Sequence, residues 1–105
     1  MIRNKVRPLI FLLNNDGYTF ERVITDRSYN DIQPWKYHQL VDVFGGRDAI
    51  SRDVYTEGEL EQALSLVSPA SELVFVEVHT GRLDCPPSLR SAGRSMAEIN
   101  QLSEP

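Results

Sequence analysis

"PLIFLLNNDGYTFERVI", residues 8–24, carries the decisive pattern. A continuous apolar run bounded by Pro8 and a polar turn predicts a strand over residues 8–14, of the kind covered on both faces. Asn14, Asn15, Asp16 and Gly17 then break the run with turn chemistry. From Tyr18 to Ile24 the apolar positions 18, 20, 23 and 24 suit a short helix. Strand, turn and helix in that order make the first half of a β-α-β unit.

Working outward, "TDRSYNDIQ" is polar and turn-rich and reads as a loop. Pro34 suits the first position of a helix; Trp35, Tyr37, Leu40, Val41 and Phe44 follow near the helical period, and Gly45-Gly46 stops it, predicting a helix over residues 34–44. Alternation supports a strand over 49–55. Thr56 followed by Glu59 is a capping box, so a helix is expected over 57–68, with Leu60, Ala63, Leu64 and Val67 on its apolar face. "ELVFVEVHT", residues 72–80, reads as a buried strand, and "PPSLRSAGRSMAEINQL" as a terminal helix interrupted by Gly93. Strands alternating with helices predict an α/β fold: a partial three-layer parallel sheet of about three strands with right-handed crossover helices.

Bulk properties narrow the function. A chain of 105 residues suits one domain with a modest core. With 15 acidic against 11 basic side chains and no basic stripe, it lacks the electrostatic footprint of a nucleic-acid binder. The apolar stretch Pro8–Leu13 is too short to span a bilayer, and "MIRNKVRP" lacks the apolar region of a signal peptide, so no membrane partner and a cytoplasmic location are expected. Cys85, the sole cysteine, excludes an internal disulfide; its surroundings "RLDCPPS" offer no histidine, so it reads as structural, as does Arg82, while His38 and His79 read as structural or surface histidines.

Ligands of open α/β sheets gather at the carboxyl ends of strands, where "NNDGY" lies. The Asn15 amide oxygen and the Gly17 main-chain carbonyl are hard donors of the kind Mg²⁺ takes, and Mg²⁺ held by few protein groups usually bridges to phosphate. N–H groups opening the 18–24 helix would face such a phosphate. On spacing alone, the same residues also make an ordinary turn, and Glu21 an ordinary solvated helix residue.

"PLIFLLNNDGYTFERVI" followed by "YNDIQPWKYHQLVDVFGG" resembles the carboxyl-terminal part of thiamine diphosphate-dependent 2-oxo acid decarboxylases, the indolepyruvate, phenylpyruvate and pyruvate decarboxylase group, and the likeness continues to "GRLDCPPSL". The resemblance implies a truncated thiamine diphosphate-binding fold, residues 1–105 forming a single partial domain. It implies that Asn15 and Gly17 ligate Mg²⁺, that Tyr18 lies beside the diphosphate, that Glu21 is the catalytic carboxylate near the thiazolium, and that Phe20 and Ile24 line the substrate pocket. The implied reaction is non-oxidative decarboxylation of a 2-oxo acid to an aldehyde, and the bulk of Phe20 hints at an aromatic or branched acid.

The chain departs from that pattern in lacking the family's upstream Gly-Asp-Gly, whose aspartate is a further metal ligand, and the pyrimidine-binding domain. It is therefore expected to be inactive alone, as a fragment that works with the rest of the enzyme and a second subunit in a homodimer or homotetramer. Its apolar helix faces and strand edges are expected to drive association. Two alternatives stay open: another thiamine diphosphate enzyme, of acetolactate synthase or benzoylformate decarboxylase type, and a non-catalytic α/β remnant.

Overall fold

A computed structural model describes residues 1–67 and 72–103. Its main elements are β1 (Leu9–Asn14), α1 (Thr19–Ile24), α2 (Leu40–Val43), β2 (Ile50–Val54), α3 (Glu57–Ser65), β3 (Val74–His79) and α4 (Pro87–Ser103), with 3-10 turns at Ile2–Asn4, Ser28–Asn30 and Tyr37–Gln39. The chain divides into two compact units: Met1–Asn14 with Trp35–His79, and Asn15–Pro34 with the segment from Thr80 onward.

The first unit holds the expected all-parallel sheet, in the order β1-β3-β2. β3, last in sequence, is therefore central, which explains why Val74, Phe75, Val76 and Glu77 are all buried. Alternation sends its side chains to two cores. Val74 and Val76 join Val54 and Ala63 under α3, while Leu73 and Phe75 join Val41 on the other face. The capping box forms as expected: Glu59 N–H donates to Thr56 Oγ1 at 3.2 Å, and the Glu59 carboxylate accepts from Thr56 N–H at 3.0 Å. Such a cap contributes about 1 kcal/mol to the start of α3.

Four expectations need correction. β1 is not covered on both faces: Leu9, Phe11 and Leu13 are exposed, because β1 is an edge strand and the apolar cluster under α3 draws on β2 and β3 alone. The 34–44 helix shortens to a 3-10 turn and the single α turn Leu40–Val43. A helix beginning at Pro34 would direct the His38 N–H to the carbonyl of residue 34; here it donates to Glu77 Oε2 at 2.8 Å. The helix expected to reach residue 68 ends at Ser65, residue 68 lying outside the described residues, and Leu64 is exposed instead of packed.

The fourth correction belongs to the second unit. α4 runs without interruption through Gly93, which is buried because α1 crosses it closely. A Cβ at Gly93 would stand 2.6 Å from Val23 Cγ1. The glycine is thus a contact point, and the helix tolerates its lower propensity.

Candidate functional site

Asn15, Gly17, Tyr18, Phe20, Glu21 and Ile24 all fall in the second unit, on the turn that follows β1 and on α1. Asp16 adopts φ 54° and Gly17 φ 142°, so the turn uses backbone conformations that most side chains avoid. Gly17 is also required sterically. A Cβ there would stand 2.8 Å from Arg22 Nη2 and 2.9 Å from the Asn30 carbonyl oxygen.

Thr19, buried at the start of α1, fixes the Asn15 side chain. Thr19 Oγ1 lies 3.0 Å from the Arg82 carbonyl oxygen, which can only accept, so the single hydroxyl proton goes there. The 2.8 Å contact between Asn15 and Thr19 Oγ1 must then be a donation from Asn15 Nδ2. That orientation leaves Asn15 Oδ1 as the amide's acceptor pointing elsewhere. Asp16 is anchored in turn, its carboxylate 2.6 Å from Arg82 Nη2.

Arg22 stands behind this turn, with its side chain 3% exposed. Its guanidinium bonds Asp31 at 2.6 Å, Asp26 at 3.1 Å and the Asn30 carbonyl at 3.1 Å, while Nε has no partner among the described residues. The hydrogen bond to Arg22 holds the Asp31 carboxyl below its ordinary range, against the opposing effect of burial. Asn30 completes the clasp by donating from Nδ2 to the Thr25 carbonyl at 2.8 Å. The 28–31 turn, the guanidinium and Gly17 are packed as one block.

The remaining positions are less enclosed. Tyr18 and Glu21 are exposed, Ile24 is half-buried, and half-buried Phe20 has its ring edge toward Gly93. The structure thus brings Asn15 and Gly17 together on a rigid turn and leaves Glu21 in solvent. Sequence reasoning missed Thr19, Arg22, Asn30 and Asp31; the i, i+4 spacing of Arg22 and Asp26 was the only available signal. It also missed that His38, Asp53, Glu77 and His79 converge in the first unit, since they lie on three separate segments.

Among the described residues no helix is long and apolar enough to cross a membrane. No family model matches the chain. It is 41% identical over 105 residues to a pyruvate decarboxylase of Aspergillus terreus, an alignment covering 95% of this chain and 18% of that protein. To a pyruvate decarboxylase of Candida glabrata it is 37% identical over 108 residues, 99% of this chain and 19% of the relative. To an alpha-keto-acid decarboxylase of Mycobacterium avium it is 39% identical over 87 residues, 80% of this chain and 16% of the relative. The chain thus spans less than a fifth of the length of these curated relatives.

Proposed function

We propose that this chain is part of a thiamine diphosphate- and Mg²⁺-dependent 2-oxo acid decarboxylase, a cytoplasmic carboxy-lyase that releases CO₂ and an aldehyde from indolepyruvate- or phenylpyruvate-like acids. The single observation that supports it is the locked turn at Asn15–Gly17, where Thr19 dictates which amide atom of Asn15 is offered. Names of relatives covering most of the chain agree with a decarboxylase acting on a 2-oxo acid.

The donor set fits Mg²⁺: Asn15 Oδ1 and the Gly17 carbonyl are both neutral hard oxygens, and such an ion keeps its remaining positions for water, phosphate and a carboxylate. Tyr18 would lie beside the diphosphate, and Phe20 and Ile24 would line the pocket for the acid. When bound, thiamine diphosphate supplies the electron sink for the carbanion left by CO₂. Glu21 would hold and return a proton at its carboxylate oxygens. Because Glu21 is exposed in its own unit, the desolvation that tunes such a group has to come from other parts of the longer protein, in a homodimer or homotetramer.

Product analysis of the full-length protein tests this reading. With thiamine diphosphate and Mg²⁺, pyruvate, phenylpyruvate and indolepyruvate are each supplied and products separated by chromatography. Aldehyde from an aryl acid is expected, and Glu21→Gln should lower kcat by about 10²–10⁴. Condensation to an acetohydroxy acid without aldehyde release would overturn it in favour of a synthase.

A further inference from the structure

Glu77 is a charged residue with no exposed surface on the central strand of the sheet, between Val76 and Val78. Burying a carboxylate there is costly unless positive charge and donors surround it. Its Oε1 accepts from Asn14 Nδ2 at 2.8 Å, and its Oε2 accepts the His38 N–H and stands 2.8 Å from His38 Nδ1. Asp53, from the neighbouring β2, adds a second carboxylate whose Oδ2 is 3.6 Å from that same Nδ1. Two carboxylates and an imidazole therefore converge from three segments onto one point.

We infer that His38, Asp53 and Glu77 form a binding site for a divalent transition-metal ion of the zinc type, distinct in ligand chemistry from the all-oxygen Asn15–Gly17 turn. One ligand atom from each lies within 4.8 Å of the other two. A tetrahedral ion with bonds of about 2.0–2.1 Å places its ligands about 3.3 Å apart, and the 2.8 and 3.6 Å separations from Nδ1 bracket that edge. Both edges from Nδ1 thus stand within about half an ångström of that value, and the two carboxylates stand no more than 4.8 Å apart.

Hydrogen bonds from outside the cluster orient the two carboxylates and fix the His38 main chain, the kind of outer support that metal sites use. Asn14 holds Glu77, and Ser51 Oγ donates to the His38 carbonyl at 2.5 Å. Asp53 receives the Tyr55 hydroxyl at 3.2 Å and lies 2.6 Å from His79 Nε2, whose ring stacks on Tyr55 with centroids 4.0 Å apart. The cluster opens to a cavity of ≈ 340 Å³ that Trp35 and Lys36 also line. A fourth ligand, water or a small molecule, would enter from that side. The imidazole selects the class: Zn²⁺, Co²⁺ and similar ions accept nitrogen, whereas Mg²⁺ favours oxygen.

The test is Co²⁺ titration of the protein carrying this chain, followed by its visible ligand-field bands, with Zn²⁺ calorimetry in excess Mg²⁺. One equivalent of ion producing four- or five-coordinate Co²⁺ bands, displaced by Zn²⁺, is expected. His38→Asn and Asp53→Asn, each near-isosteric, should each weaken binding by about tenfold or more, while Glu61→Gln on the exposed face of α3 should not. Zn²⁺ should raise the unfolding temperature of the wild type and not of His38→Asn. No saturable uptake by the wild type, or uptake unchanged in both variants, overturns the site and leaves an ion-paired hydrogen-bond ladder joining strand ends. Substituting Asn15 should leave the Co²⁺ spectrum unchanged, so failure here and failure of the decarboxylase reading are separable.

Discussion

Thr19 Oγ1 stands 2.8 Å from Asn15 Nδ2 and 3.0 Å from the Arg82 carbonyl, and that pair of contacts assigns the Asn15 amide. Thr19→Val keeps the shape and removes both hydrogen bonds, freeing the amide to rotate. Outer hydrogen bonds of this kind are worth about 10–100-fold in metal affinity. On the proposed reading, in which Asn15 ligates Mg²⁺ within a longer enzyme, the Thr19→Val variant of that enzyme should need at least about tenfold more Mg²⁺ for half-maximal activity, with kcat at saturating Mg²⁺ much less affected. An unchanged Mg²⁺ requirement would mean that Asn15 does not hold the ion.

Gly17→Ala confronts two obstacles at once. The added methyl would sit 2.8 Å from the Arg22 guanidinium and 2.9 Å from the Asn30 backbone oxygen, at φ 142°. Backbone strain alone costs of order 1–3 kcal/mol, and the Asn30 oxygen cannot swing away as a side chain would. Loss of stability by denaturant titration is the expected outcome, and shortening Arg22 to Lys should not rescue it. Full rescue by Arg22→Lys would show that only the flexible guanidinium was in the way.

The sheet was legible because its signals are local and reinforce one another: β-branched runs in Val74–Val78, and Thr56 with Glu59 at capping distance. The 34–44 helix was misjudged because a tertiary contact, Glu77 with the His38 N–H, outcompeted a correct period. Gly93 was misjudged for a related reason, since a helix breaker by propensity is here a packing contact with Val23. At the candidate site, the break of the apolar run at Asn15–Gly17 was legible as a turn. Thr19, which decides the amide orientation, was not, because its partner Arg82 is distant in sequence.

Glu77 carries the acid sensitivity of the first unit. Burial pushes its carboxyl up, but hydrogen bonds from Asn14 and from the His38 N–H and ring, together with nearby His79, hold it below the ordinary value of 4.5. A depressed folded-state value gives stability that is present above the unfolded value and lost as pH falls through the folded one. Stability should therefore decline below pH 4.5, with Glu77→Gln lacking that part of the decline. At neutral pH, Glu77→Gln should cost about 1–3 kcal/mol, because its amide must turn a donor toward an existing donor. Urea midpoints across a pH series measure both.

Two helical glycines should respond oppositely to alanine. Gly58, in the first turn of α3, has nothing within 4 Å of the position a Cβ would take. Gly58→Ala should therefore stabilise, by up to about 1 kcal/mol from helix propensity. Gly93→Ala gains the same propensity but drives a methyl to 2.6 Å from Val23 Cγ1 and 3.0 Å from Val23 Cβ. Overpacking of that kind costs about 1–3 kcal/mol, so the balance tips toward loss. Val23→Ala removes the clashing methyls, so a double-mutant cycle should show Gly93→Ala costing less in the Val23→Ala background than alone. Additive effects, measured by denaturant unfolding of the four proteins, would mean that α1 and α4 do not meet at this point.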